Sequence, residues 1–433
     1  MSRAPRYADR LDHLAALLGA ALAAADPAAA VRRALHLDRG GLRVGERHIA
    51  LTAGGRVFLI ALGKAAPAMA SAAVEILGER ISSGIVTELV PGGRDFPPCV
   101  QVIRTGHPLP DEGSLRAGRA MLGLAEQARQ GDVVLALVSG GGSAMAEALR
   151  PGIGLDDQRR LTTQLLLAGA PITAINTVRA ELSELKGGGL ARAASPARLV
   201  GLLLSDVVGD DPASVASGPT VVQSRAPGLA RRTLERLGLG PAVPGSMRQA
   251  LSQPTLPATV DPPPVNLIIA RNADLLTAAA AEARRLGFPV QVVTERLQGE
   301  ASTVGARLGR RLRESAPPAC LLAGGETTVT LRRGGRGGRN QELALSAALS
   351  LDGAGQTLLA AFASDGIDGP THAAGAWVDG SAIERARACG LDARQALEAH
   401  DTYPFLDQIG ALLLTGPTGT NLNDLVIGLT YGA

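Results

Sequence analysis

The chain has 433 residues, too long for one ordinary domain; roughly 150 residues per domain predicts two or three, and two is the simpler reading. Its apolar 46% is almost wholly aliphatic, with one Trp, three Tyr and five Phe, which suits buried parallel strands covered by Ala-rich helices. The net charge of +3 is spread without a basic run and the aromatic residues are too few to stack bases in series, so no nucleic-acid partner is expected.

In chain order, residues 14–25 are apolar, but Asp9, Asp12 and His13 precede them, and Leu14, Leu17, Leu18 and Leu22 fit an amphipathic helix better than a signal peptide. Every later apolar run stops well short of the roughly 20 residues of a membrane span, so no membrane partner is expected. Cys99, Cys320 and Cys389 are odd in number and far apart, with no zinc-binding spacing; they read as reduced thiols and predict a cytoplasmic protein.

One grammar then repeats: an aliphatic strand, a small-residue turn, a helix. Val57-Phe58-Leu59-Ile60-Ala61-Leu62 runs into Gly63-Lys64, and Val133-Val134-Leu135-Ala136-Leu137-Val138 into Ser139-Gly140-Gly141-Gly142-Ser143. Residues 199–204 run into Ser205-Asp206-Val207-Val208-Gly209-Asp210. Such alternation predicts a parallel sheet with helices on both faces and ligands beyond the carboxyl ends of its strands. Residues 241–264 hold seven prolines and read as a linker, which places the domain boundary near residue 255. The grammar restarts at residues 265–270 and predicts a second α/β domain, with strands near 320–323, 327–331, 358–363 and 411–415.

Of the 43 basic residues only Lys64 and Lys186 are lysines. A compact ammonium and a planar guanidinium do not exchange freely in a shaped site, so both lysines, each beside a glycine, are candidate functional cations. The P-loop pattern is absent around Lys64, and no GxGxxG spacing occurs anywhere. Ser139-Gly140-Gly141-Gly142-Ser143 nevertheless stands between a strand and a helix, where backbone N–H groups can meet an anion; a tight turn needing small residues is the plainer reading. Gly324-Gly325-Glu326-Thr327 ends a strand, and a glycine-rich stretch leads into Arg339-Asn340-Gln341-Glu342 at a helix start, which suits an anionic ligand. In Ser364-Asp365-Gly366-Ile367-Asp368-Gly369 two carboxylates could hold Mg²⁺, and Asp206, Asp210 and Asp211 offer a similar acidic turn. Thr415 to Asp424 is a further loop of small donors, including Asn421, and among six histidines only His107 sits in a constrained loop.

Taken with Ala61-Leu62-Gly63-Lys64, Gly106-His107-Pro108-Leu109-Pro110, Asn176-Thr177-Val178-Arg179 and Leu185-Lys186-Gly187-Gly188, these motifs resemble, in order and over nearly the whole chain, the glycerate 2-kinases with a MOFRL C-terminal domain. The resemblance implies two α/β domains facing each other across a cleft: a larger Rossmann-like domain, residues 1–255, with a parallel sheet, and a smaller MOFRL-like domain, residues 256–433, with a mixed sheet. It implies transfer of the γ-phosphoryl group of ATP to the 2-hydroxyl of D-glycerate, with Mg²⁺ or another divalent cation. It marks Lys64 and Arg339 as catalytic and Asp206 and Asp365 as metal ligands. Ser139, Gly140, Gly141, Gly142, Ser143, His107, Lys186, Asn340, Glu326, Thr415 and Asn421 become expected substrate or nucleotide contacts. Two positions, His372 and Ala180-Glu181, depart from the family pattern. A hydroxypyruvate or tartronate-semialdehyde reductase is the rival reading, weakened by the missing GxGxxG; a non-catalytic glycerate or nucleotide sensor is another.

Overall fold

The aliphatic runs at residues 57–62 and 133–138 form strands that are buried end to end. In the computed structural model, which describes residues 5–52, 54–90, 94–223, 228–253, 259–331 and 334–432, three short strands come first. β1 (Leu35–Asp38), β2 (Gly41–Val44) and β3 (Arg47–Ala50) make a small antiparallel sheet. Six further strands, β4 (Val57–Leu62), β5 (Ile81–Glu88), β6 (Val100–Arg104), β7 (Val133–Val138), β8 (Arg198–Leu204) and β9 (Val265–Ala270), form one sheet in the order β6-β5-β4-β7-β8-β9. All its pairings are parallel. Every residue of β4 and β7 is buried, as continuous rather than alternating hydrophobicity predicts for a sheet covered on both faces. The chain winds outward from β4 through β5 and β6, then starts again at β7 and winds the other way. That reversal leaves a crevice at the carboxyl ends of β4 and β7, the switch point where such sheets bind ligands. Helices Leu155–Leu167, Ile172–Leu182, Leu229–Arg236 and Gly245–Leu251 form a satellite layer around Leu161, Leu165, Val178, Leu234 and Met247.

A second sheet is mixed. β10 (Val290–Leu297), β11 (Ala319–Gly325), β12 (Thr357–Ala363), β13 (Gly375–Asp379), β14 (Leu412–Leu413) and β15 (Asp424–Thr430) take the order β10-β11-β15-β12-β13-β14, parallel only between β10 and β11. β15 runs against both neighbours, so its first residue, Asp424, pairs with Gly325 at the end of β11 and with Ala363 at the end of β12. Helices Ala301–Arg313 and Arg339–Leu351 cover it through Leu308, Leu312, Leu343, Ala347 and Leu351.

Contacts divide the chain into two compact units, residues 27–270 and residues 1–26 with 271–433. This differs from the expected boundary at residue 255 in two respects. The proline-rich stretch does not separate the units, because β9 follows it and pairs in parallel with β8. The first helix, Arg10–Ala24, lies with the second unit: His13 stacks on Tyr431 and meets the edge of Phe288, while the Tyr7 hydroxyl donates to Asp379 at 3.2 Å. The strand expected over residues 327–331 does not form. Thr328 makes a single bridge to Glu300, and the Thr330 N–H is taken by the Glu300 carboxylate at 2.9 Å instead of by a neighbouring strand. Among the described residues no single helix is long and apolar enough to cross a membrane.

Candidate functional site

At the switch point of the parallel sheet two turns are tied together. The Lys64 N–H donates to Gly140 O at 2.9 Å, the Ala65 N–H to the Ser139 hydroxyl at 3.0 Å, and the Ser139 N–H to Leu62 O at 3.0 Å. Gly141 stands at φ +80, and a Cβ built there would lie 3.1 Å from both Lys64 Cγ and His107 Cδ2. Lys64, His107 and the 139–143 loop, expected as site residues, are therefore neighbours, with Lys64 half-buried and His107 exposed. The loop is less free than its composition suggests. Ser139 is 1% exposed and its hydroxyl serves the Lys64 turn, while the Gly142 N–H donates back to Ser139 O at 3.2 Å. Ser143 is half-buried, its hydroxyl 2.9 Å from that of Ser217 and 3.5 Å from Nη1 of Arg179. Asp206 follows β8 at the same end of the sheet and is half-buried.

Lys186, expected as a ligand contact, is not on the surface of this site. It is 1% exposed and its ammonium is bound to the carboxylate of Glu147, also 1% exposed. The Ser183 hydroxyl donates to the other oxygen of Glu147 at 2.6 Å and the Gln158 amide to the first at 3.2 Å. Burial lowers the Lys186 pKa and Glu147 opposes the shift. The second lysine of the chain is thus one half of a buried ion pair; its partner lies 39 residues away, beyond any local pattern.

In the second unit the carboxyl ends of β11 and β12 and the start of β15 meet the helix that begins at Arg339. The Arg339 guanidinium grips Asp424 with two donors, Nε at 2.6 Å and Nη2 at 3.0 Å, and Glu326 with Nη1 at 2.7 Å. Burial disfavours its charge, but Asp424 and then Glu326 outweigh burial and hold its pKa above the ordinary value. Burial raises the pKa of Asp424, with Arg339 opposing. The sequence reading placed Asp424 in a donor-rich loop without singling it out as the principal partner of Arg339. Glu326 keeps 43% of its side chain exposed. The loops that carry Asp365, Thr415 and Asn421 are fastened to each other: the Thr418 N–H donates to Asp365 O at 3.1 Å and its hydroxyl to Ser364 O at 2.5 Å. Gly366 abuts Gly416 O closely and sits at φ +83, so no side chain fits there. Asp365 is half-buried and accepts the Ile367 N–H at 3.1 Å; Thr415 is exposed and donates to Gly416 O at 2.9 Å; Asn421 Oδ1 accepts the Asn423 N–H at 3.4 Å.

Two expectations change here. Asn340 is 0% exposed and, with Gln341, ties the start of its own helix to Asp368 rather than presenting an exposed amide. Asp368, paired with Asp365 in the sequence as a cation ligand, is that buried cap. Four N–H donors reach its two oxygens, from the backbones and side-chain amides of Asn340 and Gln341. Among the described residues no group of three or more His, Cys, Asp or Glu could hold a metal ion. Asp365 and Asp206, each in its own unit, therefore offer one carboxylate apiece rather than a dedicated metal cage.

Asp368 has a pH consequence. Burial raises its pKa from 3.8 to about 6, Asp424 adds to the rise, and the N–H groups of Gln341 and Asn340 pull against both. With the native pKa above the unfolded one, folding takes up a proton; the stability gained is present below the unfolded pKa and lost as pH rises through 6. Activity should run in the opposite sense, because only the ionised carboxylate accepts all four donors that hold the first turn under Arg339. We expect an acid limb in kcat near pH 6 with no matching fall in melting temperature. A kcat that stays level down to about pH 5 would break this link.

In comparisons with known proteins, residues 13–252 match the family described as Domain of unknown function (DUF4147), and residues 319–424 match the MOFRL family. The chain is 40% identical to the glycerate 2-kinase of Pyrococcus horikoshii, over 95% of this chain and 96% of that protein. It is also 40% identical to an Agrobacterium vitis protein named for a proposed hydroxypyruvate reductase activity, over 86% of each. The crystal structure of glycerate kinase from Thermotoga maritima superposes with a TM-score of 0.85 at 38% identity, covering 98% of this chain and all of that one.

Proposed function

The chain belongs to the glycerate kinase family, and from that membership we propose that it phosphorylates the 2-hydroxyl of D-glycerate, with ATP as donor and 2-phosphoglycerate and ADP as products. The observation that carries this reading to particular residues is the placement of Lys64 at the switch point, its turn tied to the 139–143 loop and His107 alongside. Phosphoryl transfer asks a protein mainly for position and for cations where charge spreads over the transferring group. Lys64 and Arg339 are the cations we assign to that work. Arg339 is held in one orientation by Asp424, and the exposed Glu326 shares its remaining donors. Lys64 is held at its backbone by the N–H bonds of its turn to Gly140 and Ser139. A divalent cation bound with the nucleotide would neutralise phosphate charge, and Asp365 and Asp206 are the carboxylates we assign to it.

The test is product analysis after incubation with D-glycerate, ATP and Mg²⁺, resolving 2- from 3-phosphoglycerate. One 2-phosphoglycerate per ADP is the expected result. Hydroxypyruvate-dependent oxidation of NADH or NADPH without phosphorylation would overturn it in favour of the reductase named among the relatives.

A further inference from the structure

Arg179 stands against the Ser143 hydroxyl, on the loop that is tied to the Lys64 turn. Arg179, on the helix Ile172–Leu182, is half-buried, and its Nε is buried without a hydrogen-bond partner. Burial lowers the Arg179 pKa, and the charge of Glu147 opposes the shift without overcoming it. Both oxygens of Glu147 are already committed, one to Ser183 and the other to Lys186 and Gln158. Glu147 is thus bound by other groups, and the Arg179 guanidinium keeps a buried Nε that nothing accepts from. The groups in front of the guanidinium are neutral and polar. Nη1 stands 3.5 Å from the Ser143 hydroxyl, which is 2.9 Å from the Ser217 hydroxyl, and that in turn donates to Asn176 Oδ1 at 3.0 Å. Ser143 and Asn176 are half-buried, so the cluster opens to solvent, and Ser143 is two residues from Gly141, against which Lys64 packs.

We propose that Arg179, with Ser143 and Asn176, is the subsite for the substrate's oxyanion, and that this oxyanion is the carboxylate of the hydroxy acid. The proposal rests on the kinase reading for the identity of the acid. A guanidinium edge is shaped for the two oxygens of a planar carboxylate, and the hydroxyl and amide supply donors to the lone pairs that remain. Arg179 would then select an acid over its neutral analogue, while Lys64 acts on the group being transferred.

The experiment compares wild type with Arg179→Gln and Arg179→Lys, by steady-state kinetics and by calorimetric binding of D-glycerate without nucleotide. For Arg179→Gln we expect KM and Kd for D-glycerate to rise about ten- to a hundredfold, from loss of a charged hydrogen bond. The KM for ATP should be unchanged, and the preference for D-glycerate over its amide should collapse. Arg179→Lys, which keeps the charge but not the fork, should fall between the two. A folded Arg179→Gln that binds D-glycerate as wild type does overturns the proposal, as does a rise confined to the KM for ATP, which would give the subsite to a phosphate. Should Arg179→Gln not fold, an unchanged KM for D-glycerate in Arg179→Lys overturns it equally. A wild type that binds D-glycerate through Arg179 yet phosphorylates nothing would refute the kinase reading and leave the subsite standing.

Discussion

Lys64→Arg will lower kcat about a hundred- to a thousandfold while leaving the protein folded. The loss corresponds to one misplaced cation on a transferring phosphoryl group, about 3–4 kcal/mol. The substitution keeps the charge, so the effect must come from shape. Lys64 Cγ already lies where a Cβ on Gly141 would be only 3.1 Å away, with His107 crowding the same point, and the turn cannot shift because its N–H groups are bound to Gly140 and Ser139. A guanidinium is wider than an ammonium and holds its donors in one plane. Stability should hardly move, since Lys64 is half-buried and outside the core. Wild-type turnover by the purified variant at saturating ATP and D-glycerate would remove Lys64 from the chemistry.

Lys186→Met will act in the other currency, destabilising the first unit by about 3–5 kcal/mol, the usual cost of stranding one charge of a buried pair. For a unit of this size that is roughly 2–4 °C of melting temperature for each kcal/mol. Glu147 would keep the Ser183 and Gln158 hydrogen bonds but lose its ion-pair partner, inside a core formed by β4, β7 and β8. Removing both charges, Lys186→Met with Glu147→Gln, should recover most of the loss, a coupling that a double-mutant cycle measures. Equal melting temperatures for Lys186→Met and wild type would show that the pair carries no such weight.

The two lysines mark how far the sequence could be read. Scarcity singled out both, but scarcity does not distinguish an ammonium that faces a ligand from one that neutralises a buried carboxylate. Only the partner tells, and Glu147 is joined to Lys186 by the fold alone. In the parallel sheet β4, β7 and β8 were legible because they are buried nearly end to end and announce themselves as unbroken aliphatic runs followed by small-residue turns, whereas β5 and β6, interrupted by Ser82-Ser83-Gly84 and by Gln101, were not foreseen. The mixed sheet was less so. Thr327 to Leu331 has strand-forming residues yet lies against a glutamate side chain, while β15, the central strand, follows a long loop and was not foreseen although Leu425-Val426-Ile427 is an aliphatic run. Missing β15 meant missing Asp424 as the residue that orients Arg339. In the same way Asp365 and Asp368 look equivalent in sequence, and only burial separates a half-exposed carboxylate from a helix cap.

The membership of helix Arg10–Ala24 in the second unit bears on how the protein is made. That helix leaves the ribosome about 400 residues ahead of β15, tens of seconds at roughly 5–20 residues per second, and in between the whole of residues 27–270 emerges and can fold as a unit. Through that interval His13 waits without the ring of Tyr431 on which it stacks. β11 and β12, both of which pair with β15, stand as open edges until the last strand slides between them. The nascent chain is thus half finished and half adhesive, and a ribosome stalled just short of Asp424 would hold a complete first unit beside a second one that quality control should recognise as unfolded.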